Sequence, residues 1–233
     1  MRLAMTARTA LILPTYNERE ALPRLVAALR PLVPVMDLEV IVVDDASPDG
    51  TAEVAAALAA DGPVPIRVIR RPGKAGLASA VLAGAAVASA PVVAVMDCDG
   101  SHPPEVLPAL VAAVQRGADL AVASRYVPGG RIQRWPAWRR LASMVATAGA
   151  RLLLRLAVRD PLSGYFAARR EVLAGDYWGL GFKILLEILA RNPGLTVVEV
   201  GYTFTDRATG RSKLSPREVI AYLRLLGRLL VSR

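Results

Sequence analysis

Asp97 and Asp99 stand one residue apart, on either side of Cys98, directly after the apolar run Val92-Val93-Ala94-Val95-Met96. In extended backbone, side chains two positions apart project to the same side, so both carboxylates can face one ligand while Cys98 turns into packing. Two anions so close repel. A hard divalent cation that also bridges phosphate oxygens relieves the repulsion, so the pattern points to a metal held against a diphosphate. A second acidic group, Asp44-Asp45-Ala46-Ser47-Pro48-Asp49-Gly50-Thr51, follows Val40-Ile41-Val42-Val43. Carboxylates at a strand end, such as Asp44 and Asp45, can accept hydrogen bonds from a base or a ribose. Asp49 fits better as a helix N-cap.

Other chemistries find no support. No G-x-G-x-x-G follows the first apolar run, which disfavours a dinucleotide site of the usual Rossmann kind, and Gly73-Lys74-Ala75-Gly76 lacks the upstream glycine and the Ser/Thr of a P-loop. The single histidine, His102, cannot build a multi-histidine metal site, and no G-x-S-x-G supports a serine hydrolase. With Cys98 the only cysteine, an intramolecular disulfide and a cysteine zinc cage are excluded, and a reducing compartment is the simpler expectation.

The elements that must position these residues alternate regularly in the first half. Apolar runs predict strands at 10–13, 39–43, 66–69, 92–96 and 120–123; helical periodicity predicts helices at 20–32, 50–60, 75–89 and 105–116. Such a βαβ progression implies a mostly parallel sheet covered by helices on both faces, with ligands beyond the carboxyl ends of the strands. The polar residues fall there: 14–18 after the first strand, 44–49 after the second, 70–74 after the third and 97–102 after the fourth. The second half is less regular, with a Gly/Pro/Arg loop at 127–136, a helix around 182–191, a strand near 196–200 and a polar loop at 206–215.

At 233 residues and 54% apolar composition, one large α/β domain spanning 1–233 is expected. Its charge is divided. Residues 1–124 hold 10 Lys/Arg against 13 Asp/Glu, whereas 125–233 hold 19 against 7. A basic half suits a phosphate-bearing partner: nucleic acid, an anionic membrane or a phosphorylated small molecule. Aromatic residues are few and are not interleaved with basic ones, so nucleic acid is disfavoured. The stretch 75–96 carries no charge, yet Pro91 interrupts it and an acidic cluster follows, as expected of a buried helix and strand rather than a membrane span. Two amphipathic helices, about 140–159 and 216–232, combine leucine-rich faces with arginine stripes (Arg140, Arg151, Arg155, Arg159; Arg217, Arg224, Arg228) and suit either core packing or a lipid interface.

Taken together, Leu13-Pro14-Thr15-Tyr16-Asn17-Glu18, the 42–51 segment, Met96-Asp97-Cys98-Asp99-Gly100-Ser101-His102-Pro103-Pro104-Glu105 and Ala123-Ser124-Arg125-Tyr126 resemble family 2 glycosyltransferases of the Rossmann-like GT-A fold. Asp160-Pro161-Leu162-Ser163-Gly164-Tyr165-Phe166, Gly181-Phe182-Lys183-Ile184-Leu185-Leu186-Glu187 and the 204–214 segment narrow the likeness to dolichyl (polyprenyl) phosphate mannose synthases. The resemblance implies inverting transfer of mannose from GDP-mannose to a polyprenyl phosphate, with Mg2+ or Mn2+ on the donor diphosphate. By motif match, Pro14, Tyr16, Glu18, Asp44 and Asp45 fall where the family holds the nucleotide; Lys74, Asp97 and Cys98 are counted with them. Asp97 and Asp99 take the metal, with Ser101 beside them where relatives often carry Gln. Arg125, Arg139, Arg207 and Lys213 fall where the family grips phosphate, and Asp99, Arg125, Arg207 and Lys213 form the expected catalytic set.

The chemistry agrees with this. A phosphate acceptor is already anionic near neutral pH, so no general base is needed, and arginines suit the clamping of two anions. With no spanning helix expected, contact with a lipidic acceptor implies a peripheral position on the cytoplasmic face of a membrane, through the amphipathic helices or a separate anchoring subunit. A synthase using UDP-glucose and a noncatalytic nucleotide-sugar sensor are the alternatives.

Overall fold

The computed structural model describes residues 9–206 and 216–232. Seven strands form the central sheet: β1 (Thr9–Thr15), β2 (Leu38–Asp44), β3 (Ile66–Arg70), β4 (Val92–Val95), β5 (Leu120–Ser124), β7 (Phe166–Arg169) and β8 (Val197–Gly201). Their order is β3-β2-β1-β4-β7-β5-β8, and all neighbours are parallel except β7, which runs antiparallel between β4 and β5. A parallel two-stranded ribbon pairs β6 (Arg131–Gln133) with β9 (Thr203–Thr205). This is the mostly parallel α/β sheet expected from the sequence, and it draws strands from both sides of residue 124.

Alternation along β1 builds two cores. Leu11 and Leu13 face one side with α1 (Ala21–Leu29), α2 (Val33–Met36), α3 (Thr51–Asp61) and α5 (Leu107–Gln115). Ala10 and Ile12 face the other with α4 (Leu77–Val87), the short α7 (Arg170–Leu173) and α8 (Ile184–Arg191). The Ala-rich α4 lies close to the sheet: a Cβ at Gly84 would come within 2.7 Å of Ile12 Cγ2. Its buried face, Ala78, Ala80, Val81, Gly84 and Ala85, leaves no room there for a charged side chain. Among the described residues, no helix is long and apolar enough to cross a membrane. A third cluster joins α6 (Ala137–Leu153), α8 and α9 (Pro216–Val231) through Ala150, Leu186, Leu225 and Leu229.

Three expectations about elements are corrected. The helix expected at 20–32 is broken, because Pro31 and Pro34 cannot donate to the helical ladder; a 3₁₀ turn, Arg30–Leu32, separates α1 from α2. The helix expected over 140–159 starts three residues earlier and ends at Leu153, where Leu154 turns into the third cluster and Arg155 takes a left-handed conformation (φ 47). Arg155 and Arg159 are therefore not part of its stripe. Finally, the less regular second half, where a strand is expected near 196–200, also contributes the antiparallel β7, a four-residue strand too short to show a period.

Candidate active site

The in-register pairing of Thr15 with Asp44 and of Asp44 with Arg70 brings the ends of β1, β2 and β3 to one edge. There the chain is held by its own polar groups. Pro14 is buried in β1 opposite Val43, and Thr15 donates to Asp44 Oδ1 (3.1 Å). Asp44 also accepts from the Ser47 amide (2.9 Å) and hydroxyl (2.5 Å). Asp45 pairs with Arg71 (2.7 Å) and accepts from the amides of Ala75 (3.2 Å) and Gly76 (2.9 Å). A carboxylate offers about four lone-pair directions, so each aspartate, with three bonds made, keeps about one for a ligand. Both are buried, and their first task is to shape the 44–47 and 71–76 loops.

Tyr16 and Lys74 come together across that edge, with Lys74 Nζ 3.6 Å from the ring centroid. Glu18 fixes the start of α1: its carbonyl accepts from Ala21 and Leu22, and its amide donates to Thr51 Oγ1 (2.9 Å). The expected N-cap at Asp49 is shifted by one. Gly50 (φ +86) holds the cap position of α3, and Asp49 accepts from the amide and hydroxyl of Thr51 and the amide of Arg19. Burial raises its pKa, but these hydrogen bonds outweigh it and hold the carboxyl below its usual value.

Beyond the end of β4 the inside-outside alternation persists. Met96 and Cys98 are buried in the core, whereas Asp97 and Asp99 face outward. Cys98 was counted with the nucleotide site; its thiol is packed away, so any contact it makes there is through its backbone. The turn after the pair is fixed at both ends. The Asp97 amide donates to His102 Nδ1 (3.1 Å), and the Ser101 amide to Asp99 Oδ1 (3.0 Å), with Gly100 at φ +78 between them. Ser101 is itself buried and meets the acidic pair through this amide. His102 stacks on Tyr165 at 5.1 Å; burial lowers its pKa, so the ring is neutral and carries its proton on Nε2.

Among the described residues, no group of three Asp, Glu, His or Cys side chains converges as a ready-made metal cage. Two outward carboxylates nevertheless fit a hard divalent cation that takes its remaining oxygens from a diphosphate and water. Gly164 keeps the space open, since a Cβ there would lie 3.1 Å from Asp97 Oδ2 and 3.4 Å from His102 Cε1.

The basic residues assemble around Trp135. Arg125 is buried and bidentate to Asp160, through Nε (2.8 Å) and Nη2 (2.7 Å), and the Asp160 carboxylate also accepts from its amide (3.0 Å). Burial opposes its charge, but Asp160 more than compensates and raises its pKa. Arg139 lies 4.2 Å from the Trp135 ring centroid and pairs with Asp206 (2.7 Å). The Trp135 indole Nε1 is buried with no hydrogen-bond partner among the described residues, leaving a donor beside both arginines. Arg207 and Lys213 lie outside the described residues.

Sequence reasoning gave no role to two residues that organise this site. Asp160 is fully buried and fixes Arg125; an acid inside the apolar-flanked 158–168 stretch was the available signal. Lys183 donates to the Leu162 carbonyl (2.7 Å). Burial and the nearby Arg125 lower its pKa to about 8, partly offset by Asp97 and Asp160, so its ammonium sits within reach of both the acidic and the basic sets.

Residues 10–175 match the family described as Glycosyl transferase family 2. The chain is similar to a dolichol-phosphate mannosyltransferase of Pyrococcus furiosus, 44% identical over 96% of this chain and 64% of the relative, so it spans just under two thirds of that protein. It also resembles a polyprenol monophosphomannose synthase of Mycolicibacterium smegmatis (47% identical, covering 90% of this chain and 82% of the relative). Among solved structures, glucosyl-3-phosphoglycerate synthase from Mycobacterium tuberculosis, crystallised with Mn2+, UDP-glucose and phosphoglyceric acid, superposes with a TM-score of 0.70 at 23% identity, over 97% of this chain and 79% of that one.

Proposed function

The chain belongs to glycosyl transferase family 2 and has the GT-A fold, and on that premise we propose that it transfers mannose from GDP-mannose to a polyprenyl phosphate, with inversion. The observation that carries this is the outward-facing Asp97 and Asp99 at the end of β4, flanked by buried Met96 and Cys98, with Lys183 and Arg125 in electrostatic reach of the same turn. The names of the relatives support mannose and a lipid phosphate as the transferred group and acceptor.

Asp44, Asp45, Tyr16 and Lys74 line the edge suited to the nucleoside and its phosphates. Asp97 and Asp99 would hold Mg2+ or Mn2+, which supplies charge to the departing diphosphate. Arg125 and Arg139, with Arg207 and Lys213 by motif match, would bring the acceptor phosphate to the sugar. One bond forms, from an acceptor phosphate oxygen to the sugar C1. The bond from C1 to the donor phosphate breaks on the opposite face, and GDP departs. The acceptor oxygen is already anionic, so no proton need be removed, and the site requires orientation and charge rather than a base. Asp160 holds the Arg125 guanidinium by one edge and leaves Nη1 for phosphate.

The test is transfer of radiolabelled sugar from a panel of nucleotide sugars into organic-extractable product, with and without EDTA. GDP-mannose should be preferred, EDTA should abolish transfer, and Mn2+ or Mg2+ should restore it. Asp99→Ala should reduce turnover to background. Preference for UDP-glucose would replace the mannose assignment, and nucleotide-sugar binding without any lipid product would make the protein a sensor.

A further inference from the structure

A cavity of about 500 Å³ opens between the 125–130 turn, β6 and α6, and its wall includes Arg125, Tyr126, Arg131, Gln133, Arg140 and Met144. Among the described residues, no acidic side chain lines it. Arg125 is paired with Asp160, but the guanidinium groups of Arg131 and Arg140 have no hydrogen-bond or ion-pair partner among the described residues. Two unpaired guanidiniums on one void repel each other, and an anion between them removes that repulsion. Tyr126, whose hydroxyl is tied to Ser143 (3.0 Å), and Gln133 add neutral hydrogen-bonding groups.

The rim explains what carries the anion. Met144 belongs to the outer face of α6, where Trp138, Leu141 and Val145 are also exposed, so the cavity mouth adjoins an apolar surface. Of the described arginines given above to the acceptor phosphate, Arg125 is part of this wall, and Arg139 is turned away to Asp206 and Trp135.

We propose that this cavity binds the phosphate of an anionic bilayer phospholipid through Arg131 and Arg140, seating α6 on the membrane beside the active site. The chemistry is that of any lipid-borne phosphate. A bilayer phospholipid is favoured over the acceptor because Arg131 and Arg140 are solvent-exposed and unpaired, whereas Arg125 and Arg139, given above to the acceptor, are paired with Asp160 and Asp206. The site deepens the membrane contact of the function proposed above and rests on it, yet it can be tested with no sugar donor present.

The experiment compares the wild-type chain with Arg131→Gln/Arg140→Gln and Arg131→Lys/Arg140→Lys, each checked by thermal melting. One arm measures co-sedimentation with phosphatidylglycerol-containing and pure phosphatidylcholine vesicles. The other measures KM for polyprenyl phosphate in neutral detergent. The Gln pair should bind phosphatidylglycerol vesicles at least about tenfold more weakly, with binding to phosphatidylcholine and KM unchanged. The Lys pair keeps the charge but loses the planar fork, and should recover only part of the loss. Full recovery by Lys would mean diffuse attraction and overturn the site. A rise in KM with vesicle binding intact would give the cavity to the acceptor and overturn the phospholipid assignment; no change in either arm would overturn both. If no glycolipid forms in any variant, the function above fails while the vesicle arm still decides the cavity.

Discussion

At the residue scale, charge placement is set by two side chains that no motif reading had given a role. Asp160 holds Arg125 in a buried, bidentate pair. Removing one partner of such a pair strands the other charge, so Asp160→Asn should lower unfolding stability by about 3–5 kcal/mol in a denaturant titration. Lys183 offers a pH signature. Its pKa of about 8 lies below the ordinary lysine value because of burial and Arg125, so the cation is present below pH 8 and lost above it. If that charge steadies phosphate, kcat/KM should fall above about pH 8, and Lys183→Arg, which cannot titrate there, should abolish the alkaline limb. The Asp97/Asp99 pair was legible because a two-residue period survives past the strand end. The roles of Asp160 and Lys183 were not, because their partners, Arg125 and the Leu162 carbonyl, are far away in sequence.

At the element scale, strands and helices of the first half were legible to within a few residues, since each βα unit carries its own period and punctuation. The failures have different causes: prolines broke the first helix, β7 is too short to show a period, and in α6 tertiary contacts overrode local pattern. The arginine spacing of α6 continues past Leu153, but Leu154 is drawn into the cluster with α8 and α9, and the helix stops. The glycines of the helices give a paired prediction. In α4, Gly84→Ala gains about 1 kcal/mol of helix propensity, but it drives a Cβ to 2.7 Å from Ile12, which is fully buried in the interior strand β1 and cannot give way. Overpacking of about 1–3 kcal/mol should win, lowering Tm. In α9, a Cβ at Gly227 meets nothing within 4 Å, so Gly227→Ala should stabilise by about 0.5–1 kcal/mol.

At the scale of the whole molecule, α6 is turned inside out relative to an ordinary surface helix. Its buried residues include Thr147, while Trp138 and Leu141 are each 62% exposed and Leu152 is 79% exposed. On α9, Val219, Ile220 and Leu223 are likewise exposed, and Tyr222 ties the helix to α6 through the Ala146 carbonyl (2.8 Å). Sequence alone left core packing and a lipid interface evenly matched for these helices; the exposed leucines favour the interface. Leu141→Glu with Leu223→Glu should therefore weaken vesicle co-sedimentation at least about tenfold, since each leucine buried in lipid is worth roughly 1.5–3 kcal/mol, with Tm unchanged.

The position of β7 has a consequence for biosynthesis. Although β4 and β5 both precede it along the chain, they never touch each other, because the antiparallel strand slots between them. A nascent polypeptide that has emerged as far as Ser124 thus carries the edge formed by β1, β2 and β3 with the two strand borders that will flank β7 still gaping. Those borders stay open to mispairing until Arg169 clears the ribosome, so the acidic half cannot mature as an autonomous early unit.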